Sequence, residues 1–152
     1  MKKFLTLFLA LMTALSLVAC GGTGDGSGDA ADGGDAATED VNIAVVLKCT
    51  TSEYWGYVQE GCEKAAAELG IKVTVTGPNA ESDVAQQVNM IETAIGSGCD
   101  AIVCAPNDAA AANSALQAAI DKNIPVLSVD TNCGIEGQTS FVGTMNDEAA
   151  YQ

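Results

Sequence analysis

From Val41 onward the chain repeats one pattern: a short apolar run, a turn, then an amphipathic segment. Val41 to Leu47 is unbroken by charge and predicts a buried strand. Tyr54, Val58, Cys62, Ala65 and Leu69 then recur at helical spacing, and Gly70 supplies the stop. Ile71 to Val75 alternates as a second strand and breaks at Gly77-Pro78. Ser82 or Asp83 caps the next helix, whose Val84, Val88, Ile91 and Ile95 share a face until Gly96 and Gly98 end it. Ala101 to Ala105, stopped by Pro106, predicts the third strand. An alanine-rich helix follows, capped by Asn107 or Asp108, running to about Lys122 with Leu116 and Ile120 inward. Pro125 to Val129 predicts a fourth strand and Thr139 to Thr144 a shorter fifth. Strands alternating with helices at this spacing pair in parallel through right-handed crossovers. The expected class is α/β, an open doubly wound parallel sheet with helices on both faces.

The first forty residues break this pattern. Lys2 and Lys3 precede an apolar stretch, Phe4 to Val18, that is short for a bilayer span and reads as a signal peptide over 1–19. It ends in Leu17-Val18-Ala19-Cys20, which resembles the lipobox of bacterial lipoproteins. That resemblance implies cleavage before Cys20 and acylation of its thiol by diacylglycerol, with palmitate as a further chain. Two or more chains make a stable membrane anchor where one would be marginal. Gly21 to Asp40 is built almost wholly of Gly, Ala, Asp, Ser and Thr, cannot bury a core, and reads as a disordered acidic tether. Its acids lack the ligand spacing of a calcium loop. At the other end, Asn146 and Asp147 read as a helix cap, with Glu148 to Gln152 as a first turn. A helix begun and not continued leaves an apolar stripe unburied, so the sequence reads as a fragment. Residues 41–152 alone are then expected to be marginal, with part of a sheet face exposed as an apolar patch.

Charge narrows the function. The net charge is −14 and the pI near 4.1; six lysines carry all the positive charge, with no arginine and no histidine. So acidic a surface repels nucleic acid and anionic lipid. Absent histidine removes the commonest general base and metal ligand, and no metal site or cofactor is expected. A dinucleotide site would need glycines after the first strand, and Lys48 to Glu53 holds none; a P-loop and a GxSxG elbow are missing too. Beyond Cys20, five cysteines remain (Cys49, Cys62, Cys99, Cys104 and Cys133), none with CxxC spacing. They read as small apolar fillers, and a nucleophile at Cys49 or Cys104 would have no histidine base. No enzyme is expected.

In an open parallel sheet, ligands bind beyond the carboxyl ends of the strands. Those ends hold Lys48 to Trp55, Gly77 to Asn79, Pro106 to Asp108 and Asp130 to Asn132. Polar residues gather there while the strands stay apolar. Ile43 to Leu47, Ser52-Glu53-Tyr54-Trp55, Gly61, the Ala105-Pro106-Asn107-Asp108 turn and Asn123-Ile124-Pro125-Val126 through Asp130 stand in an order that resembles the periplasmic sugar-binding family, the ribose-binding-protein-like solute-binding lipoproteins of ABC transporters. The resemblance covers the whole folded part from Val41.

It implies two lobes that close on a ligand, the first being residues 41–145; residues 146–152 would begin the second, with the crossing near Thr144 to Asn146. It implies that Tyr54 and Trp55 pack on a sugar ring, which suits aromatic faces, though helical spacing sets Tyr54 in line with Val58 and one of the pair can be core. It implies that Asp130 accepts bonds from sugar hydroxyls through its two oxygens. Lys48 and Ser52 match rim positions; Lys48 projects into the cleft or pairs with Glu53 or Asp130. Thr131 stands where ribose binders carry arginine, and Ala105 where they carry asparagine, so the hydroxyls read must differ. Asn107 and Asp108 read as turn and cap residues. The function implied is capture of a sugar, polyol or similar ligand by a monomer anchored on the outer face of the cell membrane, for delivery to ABC permease subunits. The alternative on the same fold is a sensing module for a chemoreceptor or kinase.

Overall fold

The computed structural model of the protein describes residues 41–151. The signal peptide, Cys20 and the acidic tether expected over residues 1–40 lie outside the described residues, as does Gln152. Among the described residues nine elements follow one another: β1 (Asn42–Val46), α1 (Glu53–Leu69), β2 (Lys72–Thr76), α2 (Val84–Gly96), β3 (Ala101–Cys104), α3 (Ala109–Asp121), β4 (Val126–Val129), β5 (Ser140–Val142) and α4 (Asn146–Ala149). All five strands pair in parallel in the order β2-β1-β3-β4-β5. This is the doubly wound order in which the chain steps outward from β1 to β2, then crosses back to β3 on the other side.

Local chemistry sets the boundaries. Gly70 ends α1 in the left-handed region at φ 66°, its N–H returning to the carbonyl of Ala66. Of the two cap candidates for α3, Asp108 is the cap, its Oδ1 accepting from Ala111 N at 2.9 Å. Asp83 stands at the N-cap of α2 without a side-chain bond. That helix runs through Gly96 and caps at Ser97, with the left-handed turn delayed to Gly98 (φ 76°). The cap of α4 is Met145 rather than Asn146 or Asp147, because the Ala149 N–H closes the first turn onto the Met145 carbonyl.

Alternation along β1 divides the core in two. Ala44 and Val46 face α2 and α3 in a cluster with Ile91, Ile102, Cys104, Leu116 and Val126. Val45 and Leu47 face α1 in a second cluster with Trp55, Ala105 and Cys49, against which Val58, Cys62, Val73, Val75, Val103 and Val129 pack. Fully burying each such aliphatic side chain contributes about 1.5–3 kcal/mol. The first face is well covered: α2 and α3 pack on each other and on β1 and β4. On the second, α1 lies toward β2, and Val103, Leu127 and Val129 are only half-buried. Val142, paired with Val129, is 61% exposed. The cysteines fill space as expected: Cys49, Cys99, Cys104 and Cys133 are buried and Cys62 half-buried, all as free thiols.

The inward stripe of α1 differs from the one read in the sequence. It runs through Trp55, Val58, Cys62 and Ala66, while Tyr54, Ala65 and Leu69 face out. Val58 and Cys62 keep the place read for them, while Trp55 replaces Tyr54 and Ala66 replaces Ala65, the indole burying more apolar surface than a phenol would.

Candidate functional site

The carboxyl ends of β1 and β3 flank the point where the chain changes direction across the sheet, the place where open parallel sheets bind ligands. Gln87, reaching in from α2, ties these two ends together. It is 1% exposed, and its Nε2 donates to the carbonyls of Leu47 and Ala105, both at 2.9 Å. Its Oε1 accepts from the Asn107 N–H at 2.8 Å. One amide thus joins the last residue before the β1 loop to the first after β3. Asn107 adds a second tie, donating from Nδ2 to the Lys48 carbonyl at 2.9 Å. Its role is thus to brace the β1 loop, beyond the turn position read in the sequence; its Oδ1 is buried without a protein partner.

Directly above this brace, Lys48 and Asp130 meet. Lys48 Nζ lies 2.8 Å from Asp130 Oδ2, with the side chains 19% and 34% exposed. Of the two partners open to Lys48 in the sequence, Asp130 is the one it takes. Thr131 Oγ1 donates to the same oxygen at 3.1 Å, which leaves Oδ1 as the free acceptor. The hydrogen bond from Lys48 is the main cause that holds the Asp130 carboxyl below its ordinary range; partial burial opposes it, and the Lys48 charge and the Thr131 hydroxyl add to it. The backbone here is constrained. Asp130 sits at φ 64°, and the Thr131 N–H closes onto the Val129 carbonyl at 2.7 Å, two residues back. That is a γ-turn of the rarer, positive-φ kind. A left-handed conformation in a residue other than glycine costs about 1–3 kcal/mol and persists where the surroundings impose it. Here the Asp130 N–H is tied to the Val142 carbonyl at 2.9 Å and the carboxylate to Lys48.

The start of α1 forms the adjoining wall. Ser52 is its N-cap residue; the hydroxyl makes no cap bond, and the carbonyl accepts from the Gly56 N–H. The two aromatic candidates divide their roles. Tyr54 is 57% exposed. Trp55, expected from the resemblance to pack on a ligand ring, is instead 3% exposed and belongs to the core cluster that includes Leu47 and Val129. Burial costs the indole nothing in hydrogen bonding, because its Nε1 donates to Glu81 Oε1 at 3.1 Å. The rings stand edge to face, centroids 4.9 Å apart at 82°. The loop from Lys48 to Ser52 runs in step with the loop after β2: Leu47 N donates to Thr76 O at 2.8 Å, Thr50 N to Pro78 O at 3.0 Å, and Thr51 Oγ1 to Asn79 O at 2.8 Å. Gly77 permits this approach, since a Cβ there would stand 3.1 Å from the Leu47 carbonyl oxygen.

Lys48, Asp130 and Thr131 are thus brought into direct contact. Ser52 and Tyr54 sit at the head of the helix that Trp55 anchors. Sequence reasoning missed Gln87 and Glu81. Gln87 had a signal: it falls four residues before Ile91 and three after Val84, a polar residue in an apolar stripe. Glu81 had none, for nothing in a loop's sequence says which side chain it will meet. The arrangement offers fixed donors and acceptors beside an aromatic face. In the core beneath, burial, with a smaller effect from nearby Cys133, pushes the Cys104 thiol from 9.0 up to about 12. Among the described residues no group of three or more His, Cys, Asp or Glu is placed to hold a metal ion.

Comparison with known proteins gives the family of the fold. Residues 43–152 match the family described as periplasmic binding protein domain. The chain is 28% identical over 134 residues to the ribose import binding protein RbsB of Bacillus subtilis, covering 86% of this chain and 41% of that protein. It is 30% identical over 94 residues to a D-ribose/D-allose-binding protein of Pseudomonas aeruginosa, 60% of this chain and 30% of that one. Among solved structures it resembles an ABC transporter solute binding protein from Agrobacterium vitis with bound D-fucose, at a TM-score of 0.67 and 36% identity over 71% of this chain and 39% of that one. A carbohydrate transporter solute binding protein from Agrobacterium radiobacter in complex with D-arabinose gives a TM-score of 0.67 and 32% identity, with 74% and 38% covered. The chain therefore spans about two-fifths of the length of its Bacillus relative. With more than half its length matched, and the parallel sheet of a binding-protein lobe, it belongs to the periplasmic binding protein domain family.

Proposed function

We propose that this chain is the first lobe of a solute-binding protein that captures a sugar or sugar-like ligand for import through an ABC transporter. The observation that carries the reading is the contact of Lys48, Asp130 and Thr131 at the carboxyl rim of the sheet, beside the switch point. The pair leaves Oδ1 of Asp130 as an acceptor and further ammonium protons on Lys48 as donors, which suits adjacent hydroxyl groups. Tyr54 supplies the open aromatic face, with Ser52 beside it and Trp55 buttressing from below. The sugars bound by relatives support the class of ligand. A second lobe would close over this rim, exclude water and complete the ligand shell; the protein binds its ligand without transforming it.

On the same reading, residues 1–19 direct export, Cys20 carries the lipid, and residues 21–40 tether the lobe to the outer face of the membrane, where the monomer meets its permease. Mass spectrometry of the membrane-bound protein should find a diacylated Cys20, and Cys20→Ser should release the protein into the soluble fraction. The central claim is tested by calorimetry and thermal shift of the full-length protein against a library of pentoses, hexoses and polyols. At least one should bind and raise the melting temperature, and Asp130→Asn should abolish that shift. A library without a single responder would refute sugar capture.

A further inference from the structure

We propose that Glu81, in the turn between β2 and α2, is a positioning residue for ligand capture, acting through Trp55 on Tyr54; this rests on the sugar-capturing reading above. Indole has one N–H and no acceptor, so burying Trp55 to 3% exposure makes that single donor's partner decisive for how the ring is turned. The partner is Glu81 Oε1 at 3.1 Å, a carboxylate on an exposed residue from a different loop. A bond to a charged acceptor is about twice as strong as one between neutral groups.

Glu81 is itself held in place. Its turn is closed by the Asp83 N–H on the Ala80 carbonyl at 3.0 Å. The residues before it are tied to the β1 loop by the Thr50–Pro78 and Thr51–Asn79 bonds. The carboxylate therefore fixes the indole relative to the loop that carries Lys48, independently of the helix on which Trp55 rides. The indole in turn sets Tyr54, whose ring meets it edge to face at 4.9 Å. Tyr54, 57% exposed, is the face left for a ligand. Without the Glu81 bond, the indole would keep its apolar burial but lose the hydrogen bond that holds its edge toward the β2–α2 turn, and Tyr54 would rest on a less firmly held ring. The consequence is a looser aromatic wall and weaker binding, in an otherwise intact fold.

The test joins a spectroscopic readout to affinity. In the 152-residue sequence Trp55 is the only tryptophan. In the full-length protein, with any tryptophan outside these 152 residues replaced by phenylalanine, Glu81→Ala should shift Trp55 emission and increase its quenching by acrylamide with no ligand present, while Glu81→Gln, which keeps an acceptor oxygen, should restore most of both. In the full-length protein, with a sugar that binds the wild type, Glu81→Ala should weaken binding about tenfold and Glu81→Gln about threefold or less. In a Trp55→Phe background, which has no N–H to hold, Glu81→Ala should add no further loss. Unchanged emission and quenching in Glu81→Ala would overturn the proposal, as would an equal loss of affinity in the Trp55→Phe background. If the wild type binds no sugar, the sugar reading falls, and the emission and quenching data still decide whether Glu81 sets the indole.

Discussion

Replacing Gln87 by methionine isolates the worth of the brace beneath the site. Methionine is unbranched and of similar length, so α2 should still pack; what disappears is the amide. Three hydrogen bonds go with it, at 2.9, 2.9 and 2.8 Å. The Leu47 and Ala105 carbonyls that lose their donor belong to residues with no exposed surface, so water reaches them poorly. A buried neutral bond contributes about 1 kcal/mol net, and stranding its partner costs about 1–3 kcal/mol. Relaxation around Asn107 and the apolar gain of methionine offset part of this, and the expected loss is about 3 kcal/mol. That is a large share of the ~5–15 kcal/mol typical of a domain. Urea unfolding followed by far-ultraviolet circular dichroism measures it directly, the midpoint falling by about 1–3 M at unchanged slope. Gln87→Glu should be worse at neutral pH, because its carboxylate would face two carbonyl oxygens. A Gln87→Met protein within about 0.5 kcal/mol of wild type would refute the idea that this amide holds β1 and β3 in place.

Three further outcomes follow from the same geometry. Because the folded pKa of Asp130 is depressed, chiefly by its hydrogen bond to Lys48, its contribution to stability is fully present above the unfolded value near 3.8 and is lost as the pH falls through the lower folded value. Lys48→Met should remove this part of the acid slope, a difference of less than about 1 kcal/mol for so exposed a pair, read by unfolding between pH 2 and 5. Asp130→Gly should be more stable than Asp130→Ala by about 1 kcal/mol, since both lose the ion pair and only glycine accepts φ 64° without strain. Cys104, with its thiol pushed up to about 12, should resist alkylation at pH 8 in the folded protein and react once urea unfolds it; equal rates in both states would contradict its burial.

The elements were legible because each carries a local signal: Gly70 and Pro106 punctuate, Asp108 caps, and the strands are short and apolar. Parallel pairing followed from alternation, whereas the strand order β2-β1-β3-β4-β5 is seen only in the structure. The site was legible only where it rests on position along a strand. Lys48 and Asp130 each follow the last residue of an apolar strand run, and parallel pairing through β3 brings both to one rim. The roles of Tyr54 and Trp55 were not legible, since helical spacing gives two adjacent residues nearly equal claims on the core. What distinguishes them is that Trp55 packs with Val45 and Leu47 and finds Glu81 for its N–H, both properties of the fold. Gln87 shows the opposite lesson. Its place in an apolar stripe marks it as buried, and a buried amide must satisfy donors and acceptors somewhere; that the partners are the Leu47 and Ala105 carbonyls and the Asn107 N–H is seen only in the fold.

The Lys48–Asp130 pair also bears on what the rim selects. Each charge is balanced by the other at 2.8 Å, and Asp130 Oδ2 is already shared by Lys48 and Thr131. On the reading proposed above, a neutral polyhydroxyl ligand uses Oδ1 and the remaining ammonium protons and leaves the pair intact. A carboxylate would compete for Lys48 and strand Asp130, and an amine would compete for Asp130 and strand Lys48. Either exchange, made in a closing cleft that excludes water, leaves one buried charge without its partner, at a cost of several kcal/mol. Discrimination against charged analogues then comes from what a wrong ligand would break as much as from what the right one gains. On that same reading the backbone at Asp130, with φ 64°, serves the same end, holding the carboxylate against Lys48 before any ligand arrives.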